Sequence, residues 1–154
     1  MSAVILGRLS AVGLSLQAPN PPAANYVPFT RVDALLFVAG QTPVRDGKAQ
    51  VVGVVGESVT VEEAQAAARL CALNVLAQVH AALDGDLERA RCLRIGGFVR
   101  CRDDFTQQAR VLDGASDLLV LALGKNGRHA RTAVGTNALP RGVPVEIEAI
   151  FAVT

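Results

Sequence analysis

Tryptophan is absent from this chain of 154 residues, and aromatic residues make up only 4% of it. The core therefore has to be built from Ala, Val, Leu and Ile, which dominate the 51% of hydrophobic residues. The length suffices for one domain with a substantial core, but not for two. We expect residues 1–154 to form a single domain, in which 1–22 are an N-terminal helix and a Pro-rich connector and 23–154 are the core.

The chain also lacks an excess of charge of either sign, since 15 basic and 14 acidic residues give a net charge of +1. Nucleic-acid-binding proteins usually show a basic excess or a clustered basic face, so we expect no nucleic-acid partner. No window reaches the roughly 18 apolar residues of a membrane span, and Arg8 interrupts the apolar N-terminus, which has no basic n-region. These absences predict a cytoplasmic protein with no membrane partner.

Cysteine is scarce, and Cys71, Cys92 and Cys101 show neither CxxC nor Cys/His metal spacing. An odd number of cysteines without a secretory signal is typical of a reducing cytosol, and we expect all three to be small hydrophobic residues of the core. A P-loop, a dinucleotide-binding fingerprint, HExxH and a nucleophile elbow are missing as well. The sequence therefore predicts no metal ion.

The first third of the chain predicts a helix, a connector and strands. Apolar spacing favours a helix over residues 1–13, and the prolines of residues 17–25 block regular structure. Two strands then precede a turn at Asp46–Gly47, and a third strand follows it; the predicted strands are Tyr26–Val32, Leu35–Ala39 and Gln50–Val55.

The remainder predicts two helices and three strands. Thr60 and Glu63 have the spacing of a capping box and open a helix that ends before Gly85. A strand over Arg91–Arg100 contains Gly96–Gly97, which indicates a bulge or a close backbone approach. A second helix should start near residues 104–106 and end at Gly124. The last two strands are Arg131–Gly135 and Val143–Val153, and we expect them to form a hairpin.

This order of elements predicts an α+β fold, with a single mixed β-sheet, two helices packed on one of its faces and a short N-terminal helix before them. The other face of the sheet would remain uncovered. Its strands are too apolar to face water, so we expect the chain to oligomerise through that face.

The charged residues of the last two strands are the strongest functional candidates. Arg131 and Glu146 lie in otherwise apolar strands, and a buried charge needs a partner. If a hairpin joins them, they form either a structural salt bridge or a site for a small carboxylate, because an Arg binds a carboxylate through two parallel hydrogen bonds. Alternation places Glu146 and Glu148 on the same strand face, and we expect Glu148 to be mainly structural. His129 is a further residue that could line a cleft.

Five short segments resemble the Rid family, which is also called YjgF and often labelled "endoribonuclease L-PSP". Their order and spacing carry the similarity from Tyr26 to Val153, and they are Asn25–Val27, Ala39–Pro43, His129–Val134, Ala138–Pro140 and Val145–Ile150. Three further segments resemble those of a longer-chain subgroup with a chorismate-mutase-like fold. They are the N-terminal helix, RLCALN (residues 69–74) and GASDLL (residues 114–119).

The resemblance implies a homotrimer with sites in clefts between subunits, where reactive 2-imino acids are hydrolysed to 2-keto acids and ammonia without a cofactor. This is the reaction of a 2-iminobutanoate/2-iminopropanoate deaminase. Arg131 matches the residue that binds the substrate carboxylate, and Glu146 matches the residue that positions or activates water. Tyr26 matches a tyrosine of the cleft, Gly40 supplies backbone to the wall, and the backbone N–H of Ala133 donates to the carboxylate.

Three positions depart from the family pattern. Ala39 stands where other members have Ser, and Ala133 where many have Cys, so the pocket has fewer polar side chains. Asp113 stands where members often have Asn; it is placed among the substrate-binding residues, and its charge would disfavour an anionic substrate if it faces the cleft. A trimer that binds 2-keto acids without catalysis is therefore an alternative. An endoribonuclease is a weaker alternative, because the charge is nearly neutral.

Overall fold

The computed structural model describes residues 2–154, which form three α-helices and seven β-strands. The helices are α1 (Ala3–Ala11), α2 (Val61–Ala82) and α3 (Gln108–Leu123). The strands are β1 (Phe29–Val32), β2 (Leu35–Gln41), β3 (Val44–Arg45), β4 (Lys48–Ala49), β5 (Ala90–Arg100), β6 (Ala130–Thr136) and β7 (Val145–Val153). Among the described residues, no helix combines the length and apolar character needed to cross a membrane.

Helix α2 is the longest helix, and its limits follow from local chemistry. The Thr60 Oγ1 atom accepts a hydrogen bond from the Glu63 N–H at 3.1 Å, and Glu63 Oε2 accepts one from the Thr60 N–H at 2.8 Å. These two bonds satisfy donors that the first helical turn leaves unpaired. After the helix, Gly85 adopts a φ of +89°, which favours glycine. The predicted capping box and the predicted helix end are confirmed.

Five strands form one mixed sheet in the order β1-β2-β7-β5-β6, and β3 and β4 form a separate hairpin. Helices α2 and α3 pack against each other and against one face of the sheet, while α1 packs against α3. Arg8 fixes α1 there by donating from Nη1 to the Ala122 carbonyl at 3.0 Å. The predicted α+β fold, with two helices on one sheet face and a short helix before them, is confirmed.

The expected hairpin between the last two strands is wrong, because β5 lies between β6 and β7. Strand β6 pairs with β5 in parallel, and β7 pairs with the other edge of β5 in antiparallel orientation. Helix α3 connects β5 to β6, and a connection of this kind makes consecutive strands parallel neighbours. Arg131 and Glu146 are therefore not cross-strand partners.

Three predicted boundaries also change. The first strand begins at Phe29 and not at Tyr26, since Pro28 has no N–H to give to the sheet. No regular strand covers Gln50–Val55, where Gly53 has a φ of +139°. Helix α3 begins at Gln108 and not at residues 104–106, because the Phe105 N–H donates to the Arg102 carbonyl at 3.1 Å and closes a turn before the helix.

The glycine pair in β5 marks a close approach and not a bulge. The irregular pairing of β5 with β7 lies between Cys92 and Arg94. A Cβ atom at Gly97 would overlap the side chain of Leu112 on α3. Gly97 therefore lets α3 pack closely on the sheet.

The cysteines follow their expected role in two of three positions. Cys71 and Cys92 are fully buried, and burial raises the pKa of the Cys92 thiol to about 12. Cys101 is only half-buried. The two buried thiols act as small apolar side chains.

The face of the sheet opposite the helices is open and partly apolar. Leu35, Phe37, Phe98 and Val134 lie there, and between 36% and 42% of each residue's surface is exposed. Glu146, Glu148 and Ile150 share this face, because the buried residues of β7 alternate with them.

The close packing of α2 and α3 can be tested at Gly114. A Cβ atom there would overlap the backbone carbonyl oxygen of Gln65, whereas a Cβ at Gly7 in α1 would meet no atom within 4 Å. We expect Gly114→Ala to lower the stability by about 1–3 kcal/mol through overpacking. The matched variant Gly7→Ala should leave it unchanged or raise it by up to about 1 kcal/mol. Thermal unfolding measures both, and a Gly114→Ala variant as stable as Gly7→Ala would contradict this packing.

Candidate functional site

Three of the predicted site residues meet in one cleft at the open face of the sheet. Tyr26, Gly40 and Glu146 line a cavity of about 290 Å³. Pro140 and Arg141 form part of its wall. The Arg141 side chain is exposed and donates a hydrogen bond to the Gly47 carbonyl at 3.2 Å. The cleft thus combines a phenol, a carboxyl group and a guanidinium on one surface.

Gly40 is required by the position of the Glu146 carboxyl group. A Cβ atom at Gly40 would overlap Glu146 Oε1, so any larger residue would displace the carboxyl group. Burial raises the pKa of Glu146 above its ordinary value, and the negative charge of Glu148 raises it further. A carboxyl group with a raised pKa is a stronger base than an ordinary carboxylate, which suits it to accept and return a proton.

Glu148 has the supporting position that we expected. Its Oε1 atom lies 3.8 Å from Arg94 Nη1, and the two side chains are about half exposed. An exposed ion pair of this kind contributes at most about 1 kcal/mol. Glu148 therefore acts on the cleft mainly through its charge.

Arg131 lies elsewhere, on the side of β6 that faces α3. Its Nη2 atom donates to Asp113 Oδ1 at 3.0 Å and to the Ala109 carbonyl at 3.1 Å. Its Nη1 atom donates to Ser116 Oγ at 3.0 Å. The guanidinium is therefore held by three groups of α3, and its ion-pair partner is Asp113 and not Glu146.

His129 supports this arrangement through Ser116. The Ser116 Oγ atom lies 2.9 Å from His129 Nε2, and His129 Nδ1 lies 2.6 Å from the Gly127 carbonyl. The carbonyl only accepts, so the ring carries a proton on Nδ1. When the ring is neutral, the Ser116 hydroxyl donates to Nε2 while it accepts from Arg131. His129 thus orients the hydroxyl that binds the arginine.

The predicted site residues fall into two groups on opposite sides of the sheet. Arg131 is aligned with the buried Ile95, on the side of the helices, and Ala133 shares that side with it. Glu146 is aligned with Phe98, on the open face. Within one chain, the structure joins Tyr26 and Gly40 to Glu146, and Asp113 to Arg131, but it does not bring the two groups together.

Sequence reasoning missed Ser116 and Arg141. Ser116 follows Asp113 by three residues, and helical spacing puts both on one side of α3. This spacing would have predicted that Ser116 also contacts Arg131, once Asp113 was known to face Arg131. Arg141 has a φ of +58° in a short turn, which no pattern in the sequence indicates. Among the described residues, no group of three or more His, Cys, Asp or Glu side chains could hold a metal ion.

The chain matches the model of a known protein family and is similar in sequence to three known proteins. A family model described as "YjgF/chorismate_mutase-like, putative endoribonuclease" matches residues 6–148. Protein TCP17 of Trypanosoma cruzi is 45% identical over an alignment of 156 positions, which covers 97% of this chain and 97% of that protein.

Two solved structures share both sequence and fold with this chain. The protein Atu1372 of Agrobacterium tumefaciens is 49% identical, with a TM-score of 0.95 over 99% of this chain and 94% of that one. A protein of Shewanella oneidensis MR-1 that carries an endoribonuclease label is 32% identical, with a TM-score of 0.93 over 97% and 99% of the two chains.

The influence of Glu148 on the cleft can be measured without any ligand. Replacing Glu148 by Gln removes a negative charge that disfavours ionisation of Glu146, so the pKa of Glu146 should fall. An NMR titration of the side-chain carboxyl carbons measures this change. The exposed Glu57→Gln variant is the control and should leave the pKa of Glu146 unchanged. A pKa that stays constant or rises in Glu148→Gln would contradict the assigned cause.

Proposed function

The chain belongs to the YjgF/chorismate-mutase-like family, and on this premise we propose that it hydrolyses reactive 2-imino acids to 2-keto acids and ammonia. The active site is shared between neighbouring subunits of a homotrimer. One observation carries this proposal: Arg131 and Glu146 lie on opposite sides of the sheet, so each chain holds two incomplete halves of one site.

The open face of the sheet supports the assembly. Burying apolar side chains such as Phe37 and Phe98 against a second copy of the chain removes them from water and stabilises the assembly. In a closed ring, one surface of each chain meets a different surface of the next. The cleft of one subunit then meets the β6 edge of its neighbour, where Arg131 and Ala133 lie. Three equivalent sites result from three equivalent contacts.

In such a site, the two halves have different tasks. The Arg131 guanidinium and the backbone N–H of Ala133 bind the substrate carboxylate, which places C2 of the substrate over the opposite cleft. Tyr26 and Gly40 form the wall of that cleft. Glu146 holds the attacking water there, and its raised pKa allows it to take up a proton.

The chemistry needs little more than this positioning. In the protonated imine, C2 is already electrophilic, so water adds to C2 and gives up a proton to Glu146. Glu146 passes this proton to the nitrogen and takes up the hydroxyl proton of the adduct as the C–N bond breaks. The 2-keto acid leaves, and the released ammonia accepts the second proton and becomes ammonium. Atoms and charge balance, because R–C(=NH₂⁺)–COO⁻ and H₂O give R–CO–COO⁻ and NH₄⁺. We expect the reaction to proceed without a metal or an organic cofactor.

A trimer that binds 2-keto acids without turning them over is the alternative. The observation that favours it is the absence of polar side chains at Ala39 and Ala133, which leaves the site fewer groups that could take part in proton transfer. This alternative predicts that keto acids bind in an Arg131-dependent manner and that imines are not hydrolysed faster than in buffer.

The endoribonuclease named in the family description is a weaker candidate. RNA-cleaving proteins neutralise phosphates with Lys and Arg, whereas this chain has a net charge of only +1. The predicted absence of a nucleic-acid partner stays a prediction.

Imine hydrolysis can be measured directly. An amino-acid oxidase generates 2-iminopropionate or 2-iminobutyrate in situ, and semicarbazone formation reports the imine that escapes hydrolysis. The protein should suppress semicarbazone formation, and Arg131→Ala should lower kcat/KM by about 100-fold or more through the loss of carboxylate binding. The matched variant Arg128→Ala, at an exposed arginine three residues earlier, should retain the activity.

Two outcomes would contradict the proposal. One is a wild-type protein that has no effect on semicarbazone formation from either imine. The other is an Arg131→Ala variant as active as the Arg128→Ala control.

A further inference from the structure

Asp113 lies where a substrate carboxylate would approach Arg131. Its Oδ1 atom is 3.0 Å from Arg131 Nη2, and the exposed fractions of the Arg131 and Asp113 side chains are 26% and 50%. The ion pair is therefore open to a ligand. Neither side chain is enclosed by the core, so a molecule that binds to one must also meet the charge of the other.

The hydrogen-bond capacity of the pair is only partly used. A guanidinium has five N–H donors, and Arg131 directs three of them to Ala109, Asp113 and Ser116. Within residues 2–154, its Nε–H and one Nη1–H have no acceptor, and Asp113 Oδ2 has no donor. The same ion pair thus keeps both free donors, on Arg131, and a free acceptor, on Asp113.

This arrangement distinguishes two kinds of ligand by charge. A simple carboxylate is attracted by Arg131 and repelled by Asp113, and the two effects largely offset each other at similar distances. A ligand with a cationic nitrogen beside its carboxylate binds both partners, because its carboxylate accepts a hydrogen bond from one of the free N–H donors of Arg131 and its nitrogen donates to Asp113. Protonated 2-imino acids and α-amino acids carry these two groups on adjacent carbons, whereas 2-keto acids lack the nitrogen.

We infer that Asp113 is a specificity-determining residue, which makes the Arg131–Asp113 pair a subsite for zwitterions and disfavours 2-keto acids. The inference rests on the carboxylate-binding role of Arg131 in the proposed function. It also gives a reason for product release. Hydrolysis removes the cationic nitrogen, so the 2-keto acid that remains faces the uncompensated charge of Asp113.

Calorimetric titration of the full chain with L-alanine and with pyruvate tests the inference, since the two ligands share a carbon skeleton and differ at C2. The wild-type protein should bind L-alanine at least about tenfold more tightly than pyruvate. Asp113→Asn keeps the shape of the residue and removes its charge, so pyruvate binding should strengthen and the preference should shrink by about tenfold. Asp117→Asn, at an exposed aspartate one turn further along α3, is the control and should keep the wild-type preference.

The outcomes separate this inference from the proposed function. Equal binding of both ligands by the wild type, or the same preference in Asp113→Asn, overturns the inference. If Arg131→Ala still abolishes binding and imines are still hydrolysed, the proposed function stands without it. A preference that Asp113→Asn removes supports the subsite even in a protein that hydrolyses no imine. Binding of neither ligand overturns both the subsite and the carboxylate-binding role of Arg131.

Discussion

The position of β5 between β6 and β7 decides which residues of this protein can act together. Side chains of aligned residues in neighbouring strands lie on the same face of a sheet. Arg131 is aligned with Ile95 under the helices, whereas Glu146 is aligned with Phe98 on the open face. Two residues on opposite faces of one sheet cannot share a small ligand. A second chain is the simplest way to bring such residues together.

Several features that would be costly in an isolated chain have a common explanation in the proposed assembly. The open face exposes Leu35, Phe37, Phe98 and Val134, although such side chains favour burial. Gly40 leaves room for the Glu146 carboxyl group, whose pKa is raised by burial and by Glu148. Contact with a second chain would remove the apolar residues from water and would bring a guanidinium towards that carboxyl group. The same contact would then provide both stability and a site.

The sequence predicted the elements that depend on local chemistry. The capping box of Thr60 and Glu63, the helix ends near Gly85 and Gly124, and the alternating faces of β7 are confirmed. Each of them follows from residues that are close together along the chain.

The pairing of strands could not be predicted in the same way. Alternation shows which face a residue occupies but not which strand lies beside it. The last two strands are consecutive, and a hairpin was the natural expectation, but the connection through α3 places β6 on the outer edge of β5. The contact of Asp113 with Arg131 depends on this packing of α3 beside β6, so its role could be seen only in three dimensions.

The central claim is that Arg131 of one subunit and Glu146 of its neighbour form one active site, and subunit complementation tests it most directly. Arg131→Ala and Glu146→Gln chains are produced separately and together, and imine hydrolysis is compared per site. Each variant alone should be nearly inactive. In a ring of randomly mixed chains, an intact Arg131 faces an intact Glu146 at about one quarter of the sites, so about a quarter of the wild-type activity should return. A mixed assembly no more active than either variant alone would contradict the account.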